Sequence, residues 1–432
     1  MRKHLLSLSL LLAPAVALAG PKNIIYMIGD GMGPAYLSGY RYFSDDTSTP
    51  GVENTVFDEL WQGMASTYPD DDTYVTDSAA GATALATGIK SYNGAISVNK
   101  QHMPLNTMME IAKKLGKANG IVASSQINHA TPASFVAHNR NRRNYNEIAD
   151  MYADYRINGK PVADVMLGGG TDYFIRTDRN IVNEFKQLGY QYTDSWQTLD
   201  SLTKAPAMAL LATVGLPSAL DNPVDKPLAQ LTAKALELLS PAEKGFVLMV
   251  EGSQIDWCGH SNDVACAMAE MNDFANAIKV AKAYVDQHPD TLLVITADHE
   301  TGGMSLGANG IYEWRTNVVK GIKATAPTIA EKLLAARTDA ETVTRWQQLT
   351  AITLTDTEQQ QLLAAKQKSA SALQIQIKAI INTRSNTGWT SGGHSAVDVP
   401  VLAYGQWKGE FTGFQDNTAI AKKIIHYIEQ TK

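Results

Sequence analysis

Apolar residues along this chain are gathered into short unbroken runs, each closed by a polar residue or a glycine. The runs cover residues 23–28, 120–123, 165–167, 246–250 and 292–296; they lead into Gly29-Asp30, Ser124, Gly168, Glu251 and Ala297-Asp298-His299. Continuous rather than alternating runs mark strands buried on both faces, and helical stretches between them mark parallel crossover units. The pattern predicts an α/β fold, a three-layer sandwich whose large, mostly parallel central sheet is flanked by helices. In open sheets of this kind ligands bind beyond the carboxyl ends of the strands. Asp30, Glu251, Asp298 and His299 are therefore placed on one edge, and buried charges there call for cations.

Between about residues 304 and 387 the texture changes to Ala, Gln, Lys and Thr at helical spacing. Thr355-Asp356-Thr357-Glu358 reads as a capping box, and Leu373, Ile377, Ile380 and Ile381 as an apolar stripe. This stretch is expected to be a helical insertion in a single catalytic domain spanning 20–432, serving as a lid, a dimer contact or a surface elaboration. A last strand at 399–404 and a closing helix from about 418 to 430 follow. No internal repeat is visible.

The chain opens with Arg2, Lys3 and a leucine-rich run ending at Ala17-Leu18-Ala19. A basic start, a short apolar core and a small-residue cleavage site predict a signal peptide over 1–19. That run is too short to span a bilayer, so the mature protein is expected to be periplasmic or secreted, with no membrane span. Removal of Arg2 and Lys3 takes Lys+Arg from 37 to 35 against 43 Asp+Glu, a formal charge of −8. No nucleic-acid-binding surface is expected, and an anionic substrate must be drawn in by local cations. Export permits a disulfide between Cys258 and Cys266, the only cysteines. Their separation by eight residues in apparently helical sequence opposes one; a bridge and two buried thiols both remain open.

The stretch from Thr76 to Ala84 places Ser78 just ahead of a run of very small residues. Alanine favours helix, and Thr76 or Asp77 can cap its start, so Ser78 is expected at a helix N-terminus, an anion-attracting position. A serine becomes a nucleophile there only with help, and metal coordination supplies it. Asp256 and His260 share a helix face at i and i+4. Asp298 and His299 form a second carboxylate–imidazole pair, and a Gly-rich loop delivers His394. Such ligands without thiolate suit catalytic zinc. Asp30, between Gly29 and Gly31, can bridge two cations, while Glu251 and Thr131 offer the oxygens that magnesium prefers. Arg140, Arg142 and Arg143 supply guanidinium groups able to grip two phosphate oxygens, and spacing alone leaves the choice among them open.

These segments together resemble the bacterial alkaline phosphatases. The resemblance rests on Gly29-Asp30-Gly31-Met32-Gly33, Asp77-Ser78-Ala79-Ala80-Gly81, Ala130-Thr131-Pro132-Ala133, Glu251-Gly252-Ser253 with Asp256 and His260, Thr296-Ala297-Asp298-His299, and Gly393-His394. It implies hydrolysis of phosphate monoesters through a phosphoserine at Ser78. It also implies one zinc held by Asp256, His260 and His394, and a second by Asp30, Asp298, His299 and Ser78. Magnesium would be held by Asp30, Thr131 and Glu251, Arg142 would be the phosphate clamp, and the protein would be a homodimer. His129 and Trp257 stand beside the substrate where bacterial relatives often carry Asp and Lys, which implies an altered third-site metal preference and a lost lysine contact to phosphate.

Three rival readings follow from the same residues. A related hydrolase of phosphodiesters or phosphonates would waste a clamp on two free oxygens. A sulfatase would follow its modified residue with Pro and Arg, whereas Ser78 is followed by Ala79-Ala80-Gly81. A non-catalytic phosphate-binding or metal-storing protein would need the ligands but not Ser78.

Overall fold

The computed structural model describes residues 20–430; the predicted leader at 1–19 lies outside the described residues. Ten strands form the central sheet: β1 (Asn23–Gly29), β2 (Trp61–Ser66), β3 (Ala118–Gln126), β4 (Val165–Gly169), β5 (Gln191–Thr193), β6 (Ala207–Leu210), β7 (Phe246–Gly252), β8 (Thr291–Thr296), β9 (Val399–Tyr404) and β10 (Gly413–Asp416). Their spatial order is β10-β2-β9-β8-β1-β7-β3-β4-β6-β5. Only β9 opposes its neighbours, running antiparallel to β8 and β2. Every other pairing is parallel. The central strands β1, β7 and β8 are buried at every position, which is why their sequences read as unbroken apolar runs.

Helices cover both faces. On one lie α1 (Ser78–Thr87), α2 (Met108–Lys114) and α3 (Ala130–Val136), with α2 and α3 against β3. On the other, α4 (Pro227–Leu239) packs on β3 and β4; after the short α5 (Gln254–His260), the long α6 (Val264–Gln287) packs on β7 and β8. The texture change past residue 304 corresponds to α7 (Thr316–Lys320), α8 (Ala326–Leu334), α9 (Asp339–Thr350), α10 (Asp356–Lys368) and α11 (Ala370–Ser385). The capping box at Thr355 and Glu358 is formed, and Leu373, Ile377, Ile380 and Ile381 are buried. This helical stretch leaves and rejoins the sheet domain through paired ribbons: Glu300–Thr301 with His394–Ser395, and Ser305–Leu306 with Thr387–Gly388. The closing helix α12 (Asn417–Gln430) packs against α1 and α2.

Cys258 and Cys266 are bonded, which settles the alternative left open by their spacing. In one continuous helix their Cα atoms would lie about 12 Å apart. The chain breaks instead between α5 and α6, with Asn262 in the left-handed region at φ 51° and Asp263 capping α6. The break brings the two Cα atoms to 5.4 Å.

Candidate active site

Strand register assembles the site. Ile28 lies opposite Glu251 on one side and Thr296 on the other, and Glu251 lies opposite Ala123. The chain emerging from β1, β7, β3 and β8 therefore delivers Asp30, Glu251, the His129–Thr131 segment and Asp298-His299 to one edge. Gly31 makes the close approach possible. It has φ 74°, and a Cβ there would lie 2.6 Å from Thr301 Oγ1 and 3.0 Å from Asp256. Its N–H donates to Asp298 Oδ1 at 3.2 Å.

Ser78 is the first residue of α1, and of the two candidate caps Asp77 is the one that acts, accepting from Ala80 N. The small residues of this helix are required by packing, since a Cβ at Gly81 would sit 2.7 Å from the Asp298 carbonyl oxygen. Ser78 Oγ consequently stands 3.1 Å from His299 Nε2.

Hydrogen-bond accounting tests whether these residues suit metal ions. His260 Nδ1 lies 2.8 Å from the Gly392 carbonyl, and His394 Nδ1 lies 2.8 Å from that of Thr76. Carbonyls only accept, so both Nδ1 atoms carry the hydrogen and both neutral rings present an Nε2 lone pair. Those Nε2 atoms face each other at 3.2 Å and face Asp256 at 3.3 and 3.5 Å. Two imidazoles that turn lone pairs inward when neutral, converging on a carboxylate, fit a metal cation; without one, protons on Nε2 make the contacts to Asp256. The same logic applies to His299. Its Nδ1 is 3.2 Å from Thr301 Oγ1, which itself donates to Asp256, so His299 Nε2 turns a lone pair toward Asp30 Oδ1 at 3.1 Å and Asp298 Oδ2 at 3.4 Å.

Three groups of side chains converge closely enough to hold metal: Asp256/His260/His394, Asp30/Asp256/His299 and Asp30/His129/Glu251. In the third, both Asp30 oxygens, Glu251 Oε1 and His129 Nδ1 are buried without a hydrogen-bond partner. Thr131 Oγ1 donates to Asp298 Oδ2 at 3.4 Å, beside His299 Nε2, which lies 3.4 Å from the same oxygen.

The electrostatics describe the same deficit of positive charge. Burial pushes Asp298 and Glu251 up to about 8, and it raises Asp30 well above the usual carboxylate range. Burial acts in the same sense on Asp256, but hydrogen bonds from His260 and His394 prevail and hold it low. His260 is raised to about 9 by its bond to Asp256, while burial drives His299 down to about 4. Without metal, protons must neutralise the cluster; divalent cations do so without protonating the ligands.

A cationic side of the site is built from Arg142. Arg140 and Arg143 are exposed, whereas Arg142 Nη1 pairs with Asp77 Oδ2 at 3.0 Å. Its Nη2 lies 3.4 Å from His129 Nε2. Burial, then the neighbouring Arg142 charge, lowers His129 to about 3, so this imidazole is neutral. Trp257 meets it edge-on, with ring centroids 5.9 Å apart. Every site residue anticipated from the sequence thus lies in one connected group. Sequence reading missed Thr301 and the second role of Asp77 as the partner of Arg142. Their only signals were adjacency, to His299 and to Ser78 respectively.

A family model described as alkaline phosphatase matches residues 21–430. The chain is 46% identical over 411 residues to alkaline phosphatase 3 of Bacillus subtilis, covering 94% of this chain and 89% of that protein. Among solved structures, it is similar to a cold-active alkaline phosphatase from the psychrophile Shewanella sp., with 51% identity, TM-score 0.89, and coverage of 94% of this chain and 99% of that one. It is also similar to a variant alkaline phosphatase of the Antarctic bacterium TAB5 with magnesium bound in its M3 site, at 29% identity and TM-score 0.72, covering 95% of this chain and 99% of that one.

Proposed function

The chain belongs to the alkaline phosphatase family and is a metal-dependent phosphoric monoester hydrolase; from that premise we propose that it works through a covalent phosphoserine on Ser78 at a site for two zinc ions and a third metal. The observation that carries the reading is the set of imidazole lone pairs and carboxylates converging beside the Ser78 hydroxyl. Asp256, His260 and His394 would hold the first zinc, and Asp30, Asp298, His299 and Ser78 the second. Asp30, Thr131 and Glu251 would hold the third ion, magnesium in the family pattern. His129 adds a neutral imidazole to that group, which shifts its preference toward zinc, because imidazole suits zinc better than magnesium. When bound, such cations lower the pKa of a ligating hydroxyl and stabilise a departing ester oxygen.

The chain's own residues do the rest. Ser78 Oγ, its proton passed to solvent water, attacks phosphorus in line as the P–O bond to the leaving alcohol breaks, and the departing oxygen takes a proton from water. Arg142, held by Asp77, orients two equatorial oxygens, and the N–H groups opening α1 add partial positive charge. Water then opens the phosphoserine from the face that the alcohol left. Two in-line displacements give net retention at phosphorus and allow transfer to an acceptor alcohol. His129 and Trp257 wall the substrate beside Arg142. We further read the protein as exported to the periplasm or beyond, on the strength of residues 1–19, and as a homodimer by family likeness. Residues 304–387 are a helical elaboration of one catalytic domain. Among the described residues no helix is long and apolar enough to cross a membrane.

The test is turnover of a phosphate monoester at alkaline pH beside a diester and a sulfate ester, for wild type and Ser78→Ala, before and after chelation and metal return. Dominant monoester turnover that needs metal and collapses in Ser78→Ala supports the mechanism. A metal-replete wild type that prefers the diester refutes it.

A further inference from the structure

Thr301 links Asp256, which two of the candidate metal-ligating groups share, to His299 of the second. Its side chain is fully buried, and its hydroxyl donates to Asp256 Oδ1 while lying 3.2 Å from His299 Nδ1. Asp256 belongs to the group with His260 and His394, and His299 ligates beside Ser78. A hydroxyl has one hydrogen. Having given it to the carboxylate, Thr301 can only accept from His299, which fixes the hydrogen on Nδ1 and leaves Nε2 bare toward Asp30 and Asp298. Glycine at positions 31 and 259 leaves the space this side chain fills, since Cβ atoms built there would lie 2.6 Å from Thr301 Oγ1 and 2.9 Å from Cγ2. The backbone is pinned, with Thr301 N–H donating to Gly31 O at 3.2 Å and its carbonyl accepting from Tyr36 Oη at 2.7 Å.

We propose that Thr301 is a positioning residue whose single hydroxyl sets the His299 tautomer and the Asp256 orientation together, so that both zinc pockets owe part of their affinity to it. The inference rests on the two-zinc reading above. Without the hydroxyl, the Nδ1–H of a buried imidazole has no acceptor. The alternative tautomer then directs Nε2–H into the pocket and removes that ligand. Asp256 simultaneously loses the donor that orients it, which weakens the pocket it shares with His260 and His394.

The experiment strips the full-length mature protein of metal and titrates it with zinc against a chromogenic chelator. Wild type, Thr301→Val, Thr301→Ala and Thr301→Ser are compared, with the melting temperature of each metal-free protein as the measure of fold. Thr301→Ala removes the hydroxyl without setting a second methyl against Asp256. The expected result is a loss of about 10- to 100-fold in zinc affinity at both tight steps for Val and Ala, near-wild-type affinity for Ser, and metal-free melting that does not track the loss. Unchanged affinity in both Val and Ala, a loss confined to one step, or Ser as weak as Val overturns the inference while leaving the two-zinc reading intact. A wild type that takes up no zinc overturns both.

Discussion

Arg142→Ala isolates the residue argued to choose monoesters. The guanidinium is already held by Asp77 at 3.0 Å and its side chain is only 19% exposed, so its remaining N–H groups are oriented before substrate arrives. Two charge-assisted hydrogen bonds at about 1.5–3 kcal/mol each would give about 3–6 kcal/mol, and residual solvent access favours the lower part of that range. At about 1.4 kcal/mol per tenfold, a loss of about 3–4 kcal/mol lowers monoester kcat/KM by about 10²- to 10³-fold. Arg142→Lys keeps the charge but not the fork and should lose about tenfold. Steady-state kinetics on an aryl phosphate monoester and a matched diester form the assay, with inorganic phosphate as competitive inhibitor. A diester presents two free equatorial oxygens and one negative charge where a monoester presents three and two, so Arg142→Ala should lower its kcat/KM by a distinctly smaller factor, and the monoester-to-diester ratio should fall. Equal losses on the two substrates, or unchanged phosphate inhibition, would refute the clamp argument.

The other predictions concern metal preference, pH and the covalent frame. His129→Asp replaces a neutral imidazole by a hard oxygen ligand beside Asp30 and Glu251, so magnesium uptake and magnesium activation should rise relative to wild type by metal analysis and assay. Glu270 on α6 has its carboxyl raised to about 8, chiefly by burial. It is protonated in the folded protein and ionised in the unfolded chain between its ordinary value of 4.5 and about 8. Its stabilising contribution is therefore present below 4.5 and lost as pH rises through that window. The melting temperature of Glu270→Gln should gain on wild type from pH 5 to pH 9; a constant gap would contradict the burial argument. Removing the Cys258–Cys266 bridge, which closes a loop of sequence separation 8, should cost about 2.5 kcal/mol on the loop-entropy model, read as a lower denaturation midpoint in Cys266→Ser.

Legibility in the sequence followed burial together with β-branched or leucine-rich composition; β6, buried at every position, passes unread because two of its four residues are alanine. The strands that carry ligands are central and enclosed on both faces, so their apolar runs were unbroken and their ends identifiable. Strands β2 and β10 lie toward one margin of the sheet with exposed or half-buried positions, and β5 has only three residues. Their composition carries no comparable signal. The break between α5 and α6 depends on Asn262 accepting a left-handed backbone and on Asp263 capping, features that a reading for helical periodicity passes over.

The site divides in the same physical way. Carboxylates and imidazoles at strand ends can be inferred one strand at a time, because a buried charge needs a partner wherever it falls. The pairing of Asp77 with Arg142, 65 residues away, and the seating of Thr301 between Asp256 and His299 exist only once distant segments are packed. Sequence still records that packing as absence of bulk. Gly81 lets α1 close on the Asp298 carbonyl, and Gly31 and Gly259 leave the space that Thr301 fills. The small residues after Ser78 are therefore more than helix formers: they set the distance at which Ser78, the proposed nucleophile, meets His299. A methyl group added at Gly81 should push Ser78 out of reach before it unfolds the helix.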